Sequence, residues 1–269
     1  MNRIIDYENL SNKIQEWIVN YATEHNLQVL VVGVSGGIDS AVVSTLCAKT
    51  GIPTIVVGMP INSNSENTRL SELHIALLSK TYPNVEGYYI DMSPVFQQFK
   101  SHKAFEKRFN SELGFANTKS RLRMVTLYQI AASVSGVVVG TGNKVEDFGV
   151  GFYTKYGDGG VDISPIADLY KSEVRELGRL LNVPQEIIDA EPTDGLWDDN
   201  RVDETQIGVS YDHLEWVMEY GLKKWEDDLK LTQKEMTAIS NYLSFNTKNK
   251  HKMVSIPIFD LKDNNIIWK

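Results

Sequence analysis

A doubly wound α/β fold, a parallel sheet with helices on both faces, is what this sequence predicts, on three observations. Short runs rich in β-branched residues alternate with longer segments whose apolar residues recur every three or four positions. The first such run, Val29 to Val34, passes through a small-residue turn directly into an apolar, alanine-containing segment. The stretches richest in reactive side chains, Ser35–Ser40, Met59–Asn64 and Gly140–Asp147, all follow predicted strands. That is where open parallel sheets bind ligands.

Taken in order, Asp6 to His25 predicts a helix with Leu10, Ile14, Trp17, Ile18 and Tyr21 on one face. The first strand and its helix, to about Lys49, follow. A second strand, Pro53 to Met59, is bounded by Gly51 and Pro60, and the polar stretch Asn62–Ser65 caps a helix running to about Thr81. Val85 to Asp91 predicts a third strand. Helical segments over Pro94–Asn110 and Asn117–Ser135 lead to a fourth, Val137–Val139, which ends at Gly140-Thr141-Gly142. The Asn117–Ser135 helix is apolar on nearly every side, from Leu122 and Met124 through Leu127 and Tyr128 to Val134. Such a helix must be covered all round, by its own domain or by a second copy; the expectation is a homodimer seam.

Composition narrows the function. The 269 residues suit one large α/β domain, expected to span 1–269, with ordinary hydrophobic (42%) and charged (23%) fractions. A formal charge of −8 argues against general nucleic-acid binding but permits local cation clusters for anionic substrates. No apolar run approaches the roughly 20 residues needed to span a bilayer, and the N-terminal residues lack a secretory apolar core, so a cytoplasmic location is expected. The single cysteine, Cys47, excludes an internal disulfide and a cysteine-rich metal site; among Val43, Leu46 and Ala48 it reads as packing.

Chemistry concentrates in a few places. Ser35-Gly36-Gly37-Ile38-Asp39-Ser40 between strand and helix is an anion cradle: glycines let backbone N–H groups approach a phosphate, and the helix terminus adds positive potential. It lacks the Gly-Lys-Ser/Thr of a Walker A loop. Lys119, Arg121 and Arg123 stand in the first turns of the apolar helix, where the helix dipole prefers acids. They read as an anion site or as a solvated basic edge. Glu146 and Asp147, after the fourth strand, would repel a bound phosphate unless a cation intervened; with Asp39 they offer oxygen ligands for Mg²⁺, or serve as first-turn helix acids. Phe148 to Asp162 interleaves five glycines with Phe152, Tyr153 and Tyr156, as suits a lid that excludes water or a surface loop tucked down by its aromatics. Lys155 and Lys171 are candidate phosphate contacts or, each taken alone, surface lysines. His251-Lys252 follows Asn246–Lys250, which in isolation reads as a solvated basic turn.

The hexapeptide resembles the pyrophosphate loop of the ATP pyrophosphatases, which split ATP between the α- and β-phosphates. The resemblance extends, in order, through Asn117–Met124, Gly140–Gly160, Asp162–Lys171, Ala190–Trp197, Asp203–Asp212 and His251–Lys252 to the ammonia-dependent NAD synthetases. It implies an adenine-nucleotide alpha-hydrolase-like fold and a homodimer with active sites at the subunit interface. It also implies a two-step reaction, in which the nicotinate carboxylate of deamido-NAD attacks the α-phosphorus of ATP and ammonia then displaces AMP. Gly33, Val34, Ser35, Gly36, Gly37, Ile38, Asp39, Ser40, Thr141, Lys171 and Thr193 are implied in ATP binding, and Asp39 and Glu146 as Mg²⁺ ligands. Asn117, Arg121, Lys155, Asp158, Asp162, His251 and Lys252 are implied around deamido-NAD, with Asp39, Asp158 and Lys171 catalytic. The sequence departs where better-known members carry Thr-Asp-His, having Thr141-Gly142-Asn143-Lys144, and Ile61–Arg69 matches poorly. Length and the lone cysteine leave no glutaminase domain, so free ammonia is the expected donor. The rivals are a GMP synthetase-like core, against which the glycine-aromatic loop counts, a tRNA-thiolating enzyme, against which the acidic charge counts, and a non-catalytic nucleotide sensor.

Overall fold

Four strands, β1 (Val29–Gly33), β2 (Thr54–Gly58), β3 (Val85–Tyr89) and β4 (Gly136–Val139), run parallel in the order β3-β2-β1-β4. A computed structural model describes residues 3–62, 65–105, 108–193, 195–197, 203–227 and 229–259. The helices are α1 (Tyr7–Glu24), α2 (Ile38–Lys49), α3 (Ser65–Thr81), α4 (Ser93–Lys100), α5 (Glu112–Ser133), α6 (Lys171–Leu180), α7 (Gln185–Ile188), α8 (Asp203–Ile207), α9 (Tyr211–Trp216), α10 (Leu222–Glu226) and α11 (Gln233–Met253). Every predicted strand is present to within two residues at each end. The expected cap Asn62–Ser65 lies partly outside the described residues.

Period-two alternation sends neighbouring side chains of each strand to opposite faces. Leu30, Val32, Val137 and Val139 join α1, α2 and α6 in one core, whereas Val31, Val57 and Val138 pack against Ala131 and Leu127 of α5. Both faces are therefore covered over β1, β2 and β4, which is why these strands read as nearly continuous apolar runs, while the edge strand β3 is mostly exposed. Each such valine or leucine contributes roughly 1.5–3 kcal/mol on full burial. A separate apolar cluster joins Val145, Val150, Tyr170, Tyr211 and Leu214 to Ala238, Ile239 and Tyr242 of α11. Cys47 is fully buried, and burial pushes its thiol up to about 12.

Two helical expectations need correction. α5 begins at Glu112, where Ser111 Oγ accepts the Gly114 N–H (3.2 Å), so Lys119, Arg121 and Arg123 stand beyond the first turn and the dipole does not disfavour them. They bond to backbone carbonyls: Lys119 Nζ to Leu196 O (2.9 Å), Arg121 to Lys155 O and Arg123 Nε to Met59 O (3.0 Å). The stretch Asn246–Lys250, read in isolation as a basic turn, lies inside α11. Thr232 and Glu235 start that helix with reciprocal capping bonds.

α3 is seated on α2 through His74. Its Nε2 lies 3.0 Å from Ser44 Oγ and 3.2 Å from Ala41 O, while Nδ1 has no hydrogen-bond partner among the described residues. Burial pushes this imidazole down to about 4. Because the unfolded chain binds the proton more readily, stability is complete above the unfolded value and declines as pH falls from about 6.5 towards 4, by roughly 3 kcal/mol. Urea titrations over this range are expected to show that loss in the wild type and most of it gone in His74→Leu. Parallel curves for the two proteins would remove His74 as the cause.

Candidate functional site

The loop between β1 and α2 is shaped by its own hydroxyl groups. Ser40 Oγ donates to Gly37 O (2.9 Å) and accepts the Ser35 N–H (3.1 Å), and Ser35 Oγ accepts the Gly37 N–H (3.2 Å). α2 starts at Gly37 without a side-chain cap, which leaves its first-turn N–H groups and positive end to an anion. Gly36 sits at φ +91°, and a Cβ there would lie 2.4 Å from Asn67 O and 3.2 Å from Ser71 N. The Ser71 hydroxyl donates to Val34 O (2.7 Å), so α3 is pressed against the loop.

A cleft of about 270 Å³ opens at the carboxyl ends of β1, β2 and β4. Residues 33–40 line it, as do Thr141, Glu146, Asp158, Lys171 and Thr193. Lys171, 4% exposed, lies between two carboxylates: it donates to Asp39 Oδ2 and to Glu146 Oε1 (3.0 Å). Lys171 is the first residue of α6, and the turn behind it is braced. Glu173 Oε2 accepts the Tyr170 N–H (2.8 Å), while the Arg3 guanidinium stacks 4.2 Å above the Tyr170 ring and forks onto Glu173.

Burial opposes charge on all three groups and the ion pairs restore it. Burial raises the Asp39 carboxyl against the pull of Lys171. At Glu146 burial is outweighed by Lys171 and by hydrogen bonds from Tyr211 and Asn143, so its carboxyl falls below the ordinary range. Burial works against the Lys171 ammonium, yet Asp39 and Glu146 hold it above its usual value. Asp39 and Glu146 both reach one ammonium and could hold one small cation. Among the described residues no three His, Cys, Asp or Glu side chains cluster into a metal site by themselves.

Asp158 lines the same cleft. Its Oδ1 accepts from the Thr154 N–H (2.9 Å) and Ser120 Oγ (2.7 Å), while burial raises its carboxyl. The other predicted residues do not line this cleft. Asn117 Oδ1 accepts from Thr154 Oγ1 (2.8 Å), and Arg121 holds Lys155 O. Asp162 accepts from Tyr128 OH (2.9 Å) and the Val138 N–H (2.8 Å). Lys155 Nζ donates to His251 O (3.3 Å), His251 is exposed, and Lys252 Nζ donates to Gly151 O and Tyr153 O (2.7 Å).

The structure adds residues that sequence reasoning missed. Fully buried Asn143 accepts the N–H groups of Val145 and Glu146 (3.1 Å each) and donates to Asp39 Oδ1 (3.4 Å), which ties the two carboxylates together. Its place within the departing tetrapeptide was the available signal. Tyr211 OH donates to Glu146 Oε1 (2.6 Å). Asp147, already a candidate oxygen ligand from the sequence, lies directly over Gly142, where a Cβ would come within 2.0 Å of Oδ2. Burial first, then Glu146, Asp158 and Asp39, raise its carboxyl well above normal. Asn67 and Thr68, in the poorly matching segment, also line the cleft.

The family model for NAD synthase matches residues 10–255. The chain is 35% identical over 260 residues to an NH(3)-dependent NAD(+) synthetase of Methanosarcina acetivorans, covering 96% of this chain and 100% of the relative. Its fold is similar to the NMN synthetase of Francisella tularensis, with TM-score 0.81 and 30% identity, covering 96% of this chain and 100% of that one. It is also similar to the NH3-dependent NAD synthetase of Campylobacter jejuni, with TM-score 0.74 and 27% identity, covering 95% and 100%.

Proposed function

The chain belongs to the NAD synthase family, and from that premise we propose that its cleft amidates deamido-NAD with free ammonia at the expense of ATP, as the last step of NAD synthesis. The observation that carries this is the pairing of Asp39, on the phosphate loop, with Glu146 around the Lys171 ammonium, in a cleft that Asp158 also lines. The N–H groups at the start of α2 bind the two outer phosphates. Asp39 and Glu146 would hold Mg²⁺, which when bound shares the charge of the departing pyrophosphate. Lys171 stabilises charge developing on the transferred end of ATP, from an ammonium that its two partners keep charged. A carboxylate oxygen of the pyridine acid bonds to the α-phosphorus as the bond to pyrophosphate breaks. Ammonia then bonds to the carbonyl carbon, the C–O bond to AMP breaks, and a proton leaves the nitrogen towards the Asp158 end of the cleft. Thr141 and Thr193 contact ATP, while Asn117, Arg121, Lys155, Asp162, His251 and Lys252 serve the deamido-NAD side. We read residues 1–269 as a single synthetase domain.

A homodimer fits the surface of α5. Val125 on α5 is 57% exposed and Trp17 on α1 is 46% exposed, apolar groups that a second copy would cover. Leu127, expected at the seam, points inward instead, within 3.3 Å of the position a Gly33 Cβ would take. The pool of ATP and dinucleotide acid that the enzyme would draw on is that of the cytoplasm, where we place it.

The test is incubation with ATP, Mg²⁺, ammonium and deamido-NAD. AMP, pyrophosphate and NAD are expected in equal amounts from a species that sediments as a dimer. No AMP from any pyridine acid would sink the activity, and an active monomer would sink the seam. The likeness to an NMN synthetase favours a second reading, the same chemistry on nicotinic acid mononucleotide. The ratio of kcat/KM for the two acids decides between them.

A further inference from the structure

The lower half of α11 reaches across to the segment between Glu146 and Asp158 and holds it residue by residue. Asn246 Nδ2 donates to Gly149 O (2.8 Å), Asn249 Nδ2 to Val150 O (2.9 Å) and Lys252 Nζ to Gly151 O. The donors recur every three residues on one side of a helix, a step of about 4.5 Å, and the acceptors are consecutive, with Cα atoms about 3.8 Å apart. Close approach is built in: Gly151 sits at φ +63°, and a Cβ there would lie 2.5 Å from the Asn249 Cβ. The bond is returned further on, where Lys155 Nζ donates to His251 O. The segment so held starts at Glu146, whose carbonyl accepts the Phe152 N–H (2.9 Å), places Phe152 in the cleft wall, and leads to Thr154, whose N–H fixes Asp158.

We propose that Asn246 and Asn249 are positioning residues that latch the 149–153 segment over the reacting carbonyl, so that the activated acid meets ammonia rather than water. The inference rests on the amidation reading above. The reaction it guards against balances simply. A water oxygen bonds to the carbonyl carbon, the C–O bond to AMP breaks, and the acid is regenerated, so ATP and water yield AMP and pyrophosphate with no amide. Neither asparagine lines the cleft, so neither is needed to bind ATP.

The experiment compares Asn249→Ala and the double variant Asn246→Ala/Asn249→Ala with wild type. Each lost bond is worth about fivefold in a local equilibrium, so the double variant opens roughly thirtyfold more often. Tryptic cleavage after Lys155 is expected to accelerate by a similar factor, since proteolysis follows the open population. AMP formed per NAD is expected to rise from about one to several, with the ATP KM within about twofold. A merely structural role would lower both products together. A double variant that keeps the ratio at one and the wild-type cleavage rate overturns the latch. Should the double variant fail to fold, Asn249→Ala decides by the same two readings at about fivefold. A wild type that makes no AMP defeats the amidation reading instead, and the cleavage rates then judge the latch alone.

Discussion

Lys171→Met is expected to lower turnover by about two to three orders of magnitude, the range found when one preorganised charge at a reacting group is lost. The side chain is nearly the same size, so the change removes charge more than volume. What remains is a pair of carboxylates, Asp39 and Glu146, in a site where burial already disfavours both. Removing one member of a buried ion pair costs about 3–5 kcal/mol, part of which protonation of Asp39 would relieve. The folded variant should therefore melt lower than wild type, and the deficit relative to wild type should shrink as pH falls and Asp39 takes up a proton, with the His74 loss common to both proteins. Steady-state AMP release and calorimetry across pH check both. Turnover within tenfold of wild type would take Lys171 out of the reaction.

Gly36→Ala is expected to weaken ATP binding by roughly one to two orders of magnitude, while Gly37→Ala leaves it within a few-fold. The contrast isolates geometry, because the two glycines are adjacent in one loop. At Gly36 a methyl group meets backbone, Asn67 O at 2.4 Å, in a conformation that disfavours any side chain. Either α3 retreats, breaking the bond from Ser71 Oγ to Val34 O, or the loop flattens and its N–H groups lose their aim. At Gly37 the nearest group is Ser35 Oγ at 3.4 Å, an ordinary contact. Titration calorimetry with ATP distinguishes them, and equal affinities would mean that the loop is not the phosphate site.

The parts of this molecule that sequence alone made legible share a physical reason. β1, β2 and β4 were legible because both their faces are covered, which writes them as nearly unbroken runs such as Val29-Leu30-Val31-Val32, whereas the exposed edge strand β3 carries a weaker apolar signal. The phosphate loop was legible because backbone geometry restricts residue choice, and the structure puts all of residues 33–40 on the cleft. α11 was not, since only a thin stripe, Ala238, Ile239 and Tyr242, is buried, its asparagines reach to other segments and its outer face is largely lysine and threonine. The capping pair Thr232 and Glu235 was its one clear sign. Asn143 and Tyr211 escaped for another reason. Their contribution lies in partners far away in sequence, 104 residues for Asn143 with Asp39 and 65 for Tyr211 with Glu146, and no local pattern encodes it.

β1 leaves the ribosome well before the chain that completes its surroundings. Its partner on one side, β2, follows closely, but β4 pairs with it only through Gly136–Val139, and Lys171 follows Asp39 by 132 positions. At ordinary rates of translation that interval lasts on the order of ten seconds. Through it the nascent chain carries an apolar strand edge and a carboxylate whose counter-charge has not yet been synthesised. A message truncated before β4 would leave that edge open, an aggregation-prone product rather than a smaller enzyme.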